Sequence, residues 1–291
     1  MIEISVDSLL VKAGRKTLLK IDHLVLSSSN IYGIVGPNGS GKSTFLKVLS
    51  GVTDSYSGNI GINGLNLRVN KLSLSKKMGN LIENPSFYPY STPMEYITFQ
   101  AEMRSGRKME NLKQPEDILL KVGLSAKKNE RIGVFSTGEL KRLGIASAFV
   151  GDPEIILLDE PTENLDIFGK DLIHDLLNEY VKLENKILIV TSHDLPFVEK
   201  VCNEIFFLKN GYMSGPMELK IITRTTVYFH ENITEKTIPV ELNVIHRGEN
   251  FLTVMGDFNL LLDYALKNGL RIKKIETDNP LSKKYKEIFS D

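Results

Sequence analysis

The chain has 291 residues, enough for one large domain or two, with 42% hydrophobic and 25% charged residues, as in an ordinary globular protein. Its formal net charge is zero, so bulk electrostatics gives no argument for nucleic acid or an anionic membrane. Cys202 is the single cysteine, which excludes an internal disulfide, and no apolar run is long enough to span a bilayer.

Taken in chain order, Ile2 to Val6 and Ile21 to Leu26 read as strands around the turn Ala13-Gly14-Arg15-Lys16, an antiparallel flap. No charged-then-apolar leader is visible ahead of them. Ile31 to Val35 reads as a buried strand, and Lys42 to Ser50 as a packed helix. Ser57 to Ile62 followed by Asn63-Gly64 predicts a hairpin with a primed turn. Met94 to Met103 follows Pro93 and predicts a helix; Glu116 to Val122, closed by Gly123, predicts another. Residues 84 to about 148 therefore read as mainly helical. Ile155 to Leu158, Ile187 to Val190 and Ile205 to Leu208 read as central strands, with an amphipathic segment at Leu172 to Leu183. From residue 217 the pattern changes. Strands over 223–229, 238–245 and Leu270 to Ile275, with helices at Leu260 to Lys267 and Leu281 to Phe289, predict a small α+β domain over 217–291, apart from a domain over 1–216.

Between the strand at Ile31 to Val35 and the following helix lies Gly36-Pro37-Asn38-Gly39-Ser40-Gly41-Lys42-Ser43-Thr44. It fits G-x-x-x-x-G-K-[ST] in the strand-to-helix context that the motif requires. Gly36, Gly39 and Gly41 permit backbone angles that let successive N–H groups face phosphate oxygens. The helix N-terminus adds partial positive charge there. Lys42 would reach the terminal phosphates of a nucleotide, and the Ser43 hydroxyl would hold Mg²⁺.

Asp159 and Glu160 stand at the mouth of the apolar strand Ile155 to Leu158. That placement suits Asp159 to hold Mg²⁺ and Glu160 to orient or deprotonate an attacking water. Ser136-Thr137-Gly138-Glu139 reads in two ways. Ser136 and Glu139 form a capping box, and the same helix end beside Gly138 is an anion site. His193 reads either as a satisfied polar residue or as a ligand contact at the end of a strand.

Together these motifs resemble the ATP-binding subunit of an ABC transporter over residues 1 to about 215. Residues 34–44 match its Walker A motif, Ile155 to Glu160 its Walker B motif, and Phe135 to Glu139 its signature. Asn164-Leu165-Asp166 matches the D-loop and His193 the switch histidine. The resemblance implies an α/β P-loop NTPase fold of ABC type, with an antiparallel flap, a central mostly parallel sheet and a helical subdomain. It implies ATP and Mg²⁺ as cofactors and a head-to-tail dimer. In that dimer Ser136, Gly138 and Glu139 of one copy close over nucleotide held at Lys42 of the other. It also implies a separate multispanning membrane permease, with this chain held at the cytoplasmic face of the membrane, and no nucleic-acid partner. The chain departs from the family pattern at several places. Ala13 occupies the region of the adenine-stacking aromatic, Glu83 that of the Q-loop glutamine, and Thr137 and Glu139 two signature positions. Glu83 is the candidate third group near the metal, beside Asp159 and Ser43. The stretch Ile82 to Pro89 resembles ATPases of peptide-antibiotic export and resistance systems. The alternative is a soluble ABC ATPase acting on ribosomes or DNA, but such proteins generally carry two ATPase units or a long coiled insertion. A P-loop GTPase is opposed by the lack of Asn-Lys-x-Asp, and a hydrolysis-dead subunit by the presence of Lys42, Asp159, Glu160 and His193.

Overall fold

A computed structural model describes residues 1–83, 86–106, 108, 113–218, 224–255, 258–278 and 280–290. The chain divides into two compact units, Met1–Glu218 and Leu219–Asp291.

The first unit opens with a long hairpin, β1 (Glu3–Ala13) and β2 (Lys16–Ser27), antiparallel down to an Ala13↔Lys16 pair. Both strands run well past the apolar runs that announced them. The half-exposed arms carry Asp7, Lys12, Lys16 and Lys20 among buried Leu9, Val11 and Leu19, so only one face is apolar. β3 (Asn30–Val35) leads through the glycine-rich loop into α1 (Lys42–Leu49). β4 (Ser57–Ile62) and β5 (Leu65–Asn66) form the expected hairpin, with both turn residues at positive φ, Asn63 at 51° and Gly64 at 75°.

After α2 (Lys71–Ser75) and β6 (Met78–Leu81), the helical segment contains α3 (Pro93–Ser105), α4 (Lys113–Lys121) and α5 (Thr137–Phe149). Thr92 caps α3 with a complete capping box to Glu95, and Pro93 fills its first turn. Then follow β7 (Ile155–Asp159), α6 (Ile167–Val181), β8 (Ile187–Ser192), α7 (Leu195–Val201), β9 (Glu204–Lys209) and β10 (Tyr212–Glu218). Helix α6 starts five residues before the predicted amphipathic segment. The Asp166 carboxylate accepts the Gly169 N–H at 2.7 Å and sets the start.

Among the described residues these strands form one ten-stranded sheet in the order β5-β4-β1-β2-β10-β9-β3-β8-β7-β6. The run β9-β3-β8-β7-β6 is parallel throughout. Its centre is covered on both faces. Ile155, Leu157, Ile187 and Ile189 join Phe45, Leu46, Val48 and Leu49 of α1 in one core, while Ile156, Leu158, Leu188 and Val190 are also buried. Each such side chain contributes about 1.5–3 kcal/mol relative to exposure. Because β3, β7 and β8 run the same way, the loops after them emerge at one edge of the sheet. Cys202 is buried beneath β3, its Sγ filling the space in front of Gly33. Burial pushes its thiol far above the usual range.

The second unit holds β11 (Arg224–Phe229), β12 (Val244–Arg247), β13 (Phe251–Met255), α8 (Phe258–Lys267), β14 (Ile272–Asp278) and α9 (Pro280–Phe289). Its strands are antiparallel in the order β12-β13-β11-β14. Val227, Phe229, Leu252 and Val254 pack with Leu261, Tyr264 and Ala265 of α8. The strand expected over 238–245 is not formed as such. A single 3₁₀ turn at Val240–Leu242 follows Pro239, and Asn243 sits at φ 44° before β12 begins. Residue 223, at the start of another expected strand, lies outside the described residues.

Candidate functional site

The glycine-rich loop is shaped by steric limits on both sides. A Cβ on Gly36 would lie 2.3 Å from the Leu208 carbonyl, so its role is close approach rather than an unusual φ. Gly41 combines φ +111° with a Cβ position 2.7 Å from the Leu18 carbonyl, so backbone angle and space both demand glycine. Gly41 is also the N-cap of α1 and offers no side-chain acceptor, so the N–H groups of the first turn are not capped by its side chain. Ser40 is buried with its Oγ lacking a hydrogen-bond partner. Ser43 and Thr44 stand half-buried in the first turn.

Lys42 is only 6% exposed. Its ammonium donates to the carbonyls of Gly36 at 2.8 Å and Pro37 at 3.3 Å, and lies 3.3 Å from Glu160 Oε1. The other oxygen of Glu160 accepts the His193 N–H at 3.2 Å and lies 3.0 Å from His193 Nδ1. Glu160 therefore ties together the loops after β3, β7 and β8. Asp159 joins through Thr191, whose hydroxyl donates to Asp159 Oδ1 and accepts the Glu160 N–H at 3.2 Å. Glu160 itself sits at φ 45°.

Ser136, Gly138 and Glu139 form a second cluster, at the start of α5. The capping box is complete: Ser136 Oγ accepts the Glu139 N–H at 3.3 Å, and Glu139 Oε2 accepts the Ser136 N–H at 2.9 Å. Lys127 pairs with Glu139 at 2.7 Å. That contact, followed by the Ser136 N–H, holds the Glu139 carboxyl down at about 2. Glu139 therefore divides its carboxylate between Lys127 and its own helix cap. A Cβ on Gly138 would lie 3.4 Å from the Asn164 carbonyl, which puts this helix end against the Asn164-Leu165 turn.

Glu83 follows β6. It is 65% exposed, at φ 70°, and paired with Lys47 of α1. It lines a groove of about 380 Å³ with Ile82, Tyr96, Gln100, Met103 and Arg104. Asn84 and Pro85, within the stretch singled out beside it, lie outside the described residues.

Two participants were invisible in the sequence. Thr191 lies within an apolar strand and carries no motif. Lys141, on α5, is 7% exposed and donates to the Asp159 carbonyl at 3.3 Å. Burial lowers its pKa, opposed by the carboxylates of Glu163, Asp159 and Glu160. Only a lysine amid the apolar positions of a helix hinted at a buried partner.

A glycine-rich strand-to-helix loop, a buried ammonium and paired acids at the edge of a parallel sheet define a P-loop nucleoside triphosphatase. Comparison with known proteins makes this narrower. The ABC transporter family matches residues 19–163. The uncharacterized ABC transporter ATP-binding protein YdbJ of Bacillus subtilis is 30% identical over 85% of this chain and 77% of its own length. The bacitracin transport ATP-binding protein BcrA of Enterococcus faecalis is 29% identical over 99% of this chain and 95% of its own. The linearmycin resistance ATP-binding protein LnrL of Bacillus subtilis is 30% identical over 69% and 64%. The dimeric structure of MJ0796, a bacterial ABC transporter cassette, superposes with a TM-score of 0.69 at 24% identity, covering 75% of this chain and 99% of that one. The chain belongs to the ABC transporter ATP-binding family, a family of ATPases.

Proposed function

We propose that this protein binds Mg-ATP at the loop Gly36 to Thr44, hydrolyses it within a head-to-tail dimer, and so powers a separate membrane permease that exports a peptide antibiotic or toxin. The observation that carries the reading is the convergence of Lys42, Glu160 and His193 at one edge of the sheet. The orphaned buried Ser40 Oγ and the α1 start that lacks a side-chain cap fit a triphosphate, since both lack partners that phosphate oxygens would supply. The relatives named for bacitracin transport and linearmycin resistance support the substrate class.

In this reading Lys42 exchanges the Gly36 and Pro37 carbonyls for phosphate oxygens and releases Glu160. Ser43 and Asp159 would hold the metal ion, with Glu83 a candidate further oxygen ligand. When bound, Mg²⁺ neutralises charge on the phosphate oxygens. Glu160 accepts a proton from the water that attacks the γ-phosphate, and His193 orients it through Nδ1. Ser136 and Gly138 of the second copy close over the nucleotide, and Glu139 serves that contact through the cap it makes. The groove beside Glu83 would receive a cytoplasmic segment of the permease, and the protein would reside at the inner membrane face through that contact. Among the described residues no helix is long and apolar enough to cross a membrane itself.

The test is co-expression with the multispanning permease in a sensitive bacterium. Tolerance to a bacitracin-type peptide should rise with the wild type and not with Lys42→Ala, and membrane vesicles should show Mg-dependent ATPase activity. Turnover stimulated by ribosomes or DNA and indifferent to the permease would overturn the transport reading in favour of the soluble one.

A further inference from the structure

The turn carrying Asp159 and Glu160 is gripped from two sides. On the β8 side, Thr191 accepts the Glu160 N–H with its carbonyl at 3.1 Å and its hydroxyl at 3.2 Å. On the α5 side, Lys141 Nζ donates to the Asp159 carbonyl at 3.3 Å. The turn needs such restraint. Glu160 occupies the left-handed region, which is strained for a non-glycine residue and persists only where the surroundings over-determine it.

A carbonyl alone would be satisfied by any neutral donor. What a lysine adds is a full positive charge, and burying one is costly unless it is compensated. The carboxylates of Glu163, Asp159 and Glu160 oppose that cost in part, burial remaining the larger effect on this ammonium. Lys42 meets the Glu160 carboxylate from the phosphate loop, so one buried lysine holds that side chain and a second holds the backbone of the same turn. Lys141 also belongs to the helix that begins at Ser136 and Gly138, so it joins that helix end to the acid turn.

We infer that Lys141 is a positioning residue for hydrolysis, its buried ammonium fixing the Asp159–Glu160 turn against α5. This rests on the proposed role of Glu160. Lys141 touches neither nucleotide nor water in the proposed reaction; it acts through the orientation of Glu160. Misplacement of a reacting group by about 1 Å can cost about 10²-fold in rate.

The experiment compares full-length Lys141→Met, Lys141→Gln and Lys141→Arg by steady-state Mg-ATP turnover, by titration with a fluorescent ATP analogue, and by thermal melting. Met and Gln should lower kcat at least about tenfold with KM changed less than about threefold, the signature of an interaction that matters in the transition state. Arg should retain more turnover than Gln. In the Glu160→Gln background Lys141→Met should add little, because both act on one step. Wild-type turnover in Met or Gln overturns the inference. So does wild-type turnover in Gln alone, which reduces the need to a neutral hydrogen bond. Equal loss of binding and melting temperature without rescue by Arg reduces it to packing and also refutes it. If Glu160→Gln by itself turns over normally, the reading of Glu160 fails, and this is seen separately from any effect at Lys141.

Discussion

Replacing Glu160 by Gln should do two opposite things. The variant keeps the shape of the side chain and removes its charge. In the structure Glu160 Oε1 lies 3.3 Å from Lys42 Nζ, with both groups largely buried. At an effective dielectric of about 20 that separation corresponds to about 5 kcal/mol of gross attraction. Desolvation and relaxation reduce the net value to about 1.5–3 kcal/mol, that of an ion pair rather than a hydrogen bond, since Glu160 Oε1 has no hydrogen-bond partner. An incoming phosphate competes for the same ammonium and is repelled by the same carboxylate. Removing the charge should therefore tighten ATP binding by about 10- to 100-fold. Removing the base should slow hydrolysis by about 10²- to 10⁴-fold. Titration with a fluorescent nucleotide analogue measures the first effect and phosphate release the second. Gel filtration with Mg-ATP should then show a persistent dimer. Binding no tighter than wild type would refute the competition argument, and wild-type turnover would refute the role of Glu160 as base.

Lys42→Ala should weaken nucleotide binding at least about tenfold, since a charge-assisted contact contributes about 1.5–3 kcal/mol; unchanged affinity in a binding titration would remove the phosphate-loop assignment. Glu139→Gln should lower the melting temperature at neutral pH, and the deficit should shrink in acid. The carboxyl is depressed to about 2, so its stabilisation is complete above the ordinary range near ~4.3 and is lost as pH falls toward the folded value. A deficit that stays constant between about pH 5 and pH 2.5 would contradict this. Glu83→Ala should reduce transport in vesicles holding the permease more than it weakens ATP binding; equal transport by variant and wild type would sink the docking role of the groove.

What the sequence disclosed were features that local chemistry determines. The strand, glycine loop and helix around Lys42 need only near neighbours, and so do the capping box at Ser136 and the Asn63-Gly64 turn. Features that depend on distant partners were hidden. β1 and β2 outrun their apolar cores because half of each arm faces solvent, and the Ser8 backbone at φ 53° breaks the alternation. β6, β10 and β13 were not anticipated; Met78-Gly79-Asn80-Leu81 has no β-branched residue and owes its state to pairing with β7. Within the site, Asp159, Glu160 and His193 were legible because each ends an apolar strand. Lys141 and Thr191 were not, since their significance lies in contacts 18 and 31–32 residues away. The pairing of Glu83 with Lys47 of α1 was likewise hidden, since it joins residues 36 positions apart.

The thiol packed against Gly33 has a practical consequence. Cys202 is enclosed by apolar neighbours and kept in its unreactive protonated form. Maleimide and methanethiosulfonate reagents should pass over the native protein, so it behaves toward them as a cysteine-free background. A spectroscopic label could then be attached at one chosen surface position without first replacing Cys202. Replacement would be the riskier course, because Val198 and Gly33 crowd that pocket. Distance measurements between two labelled copies, with and without nucleotide, could thus begin from the natural chain.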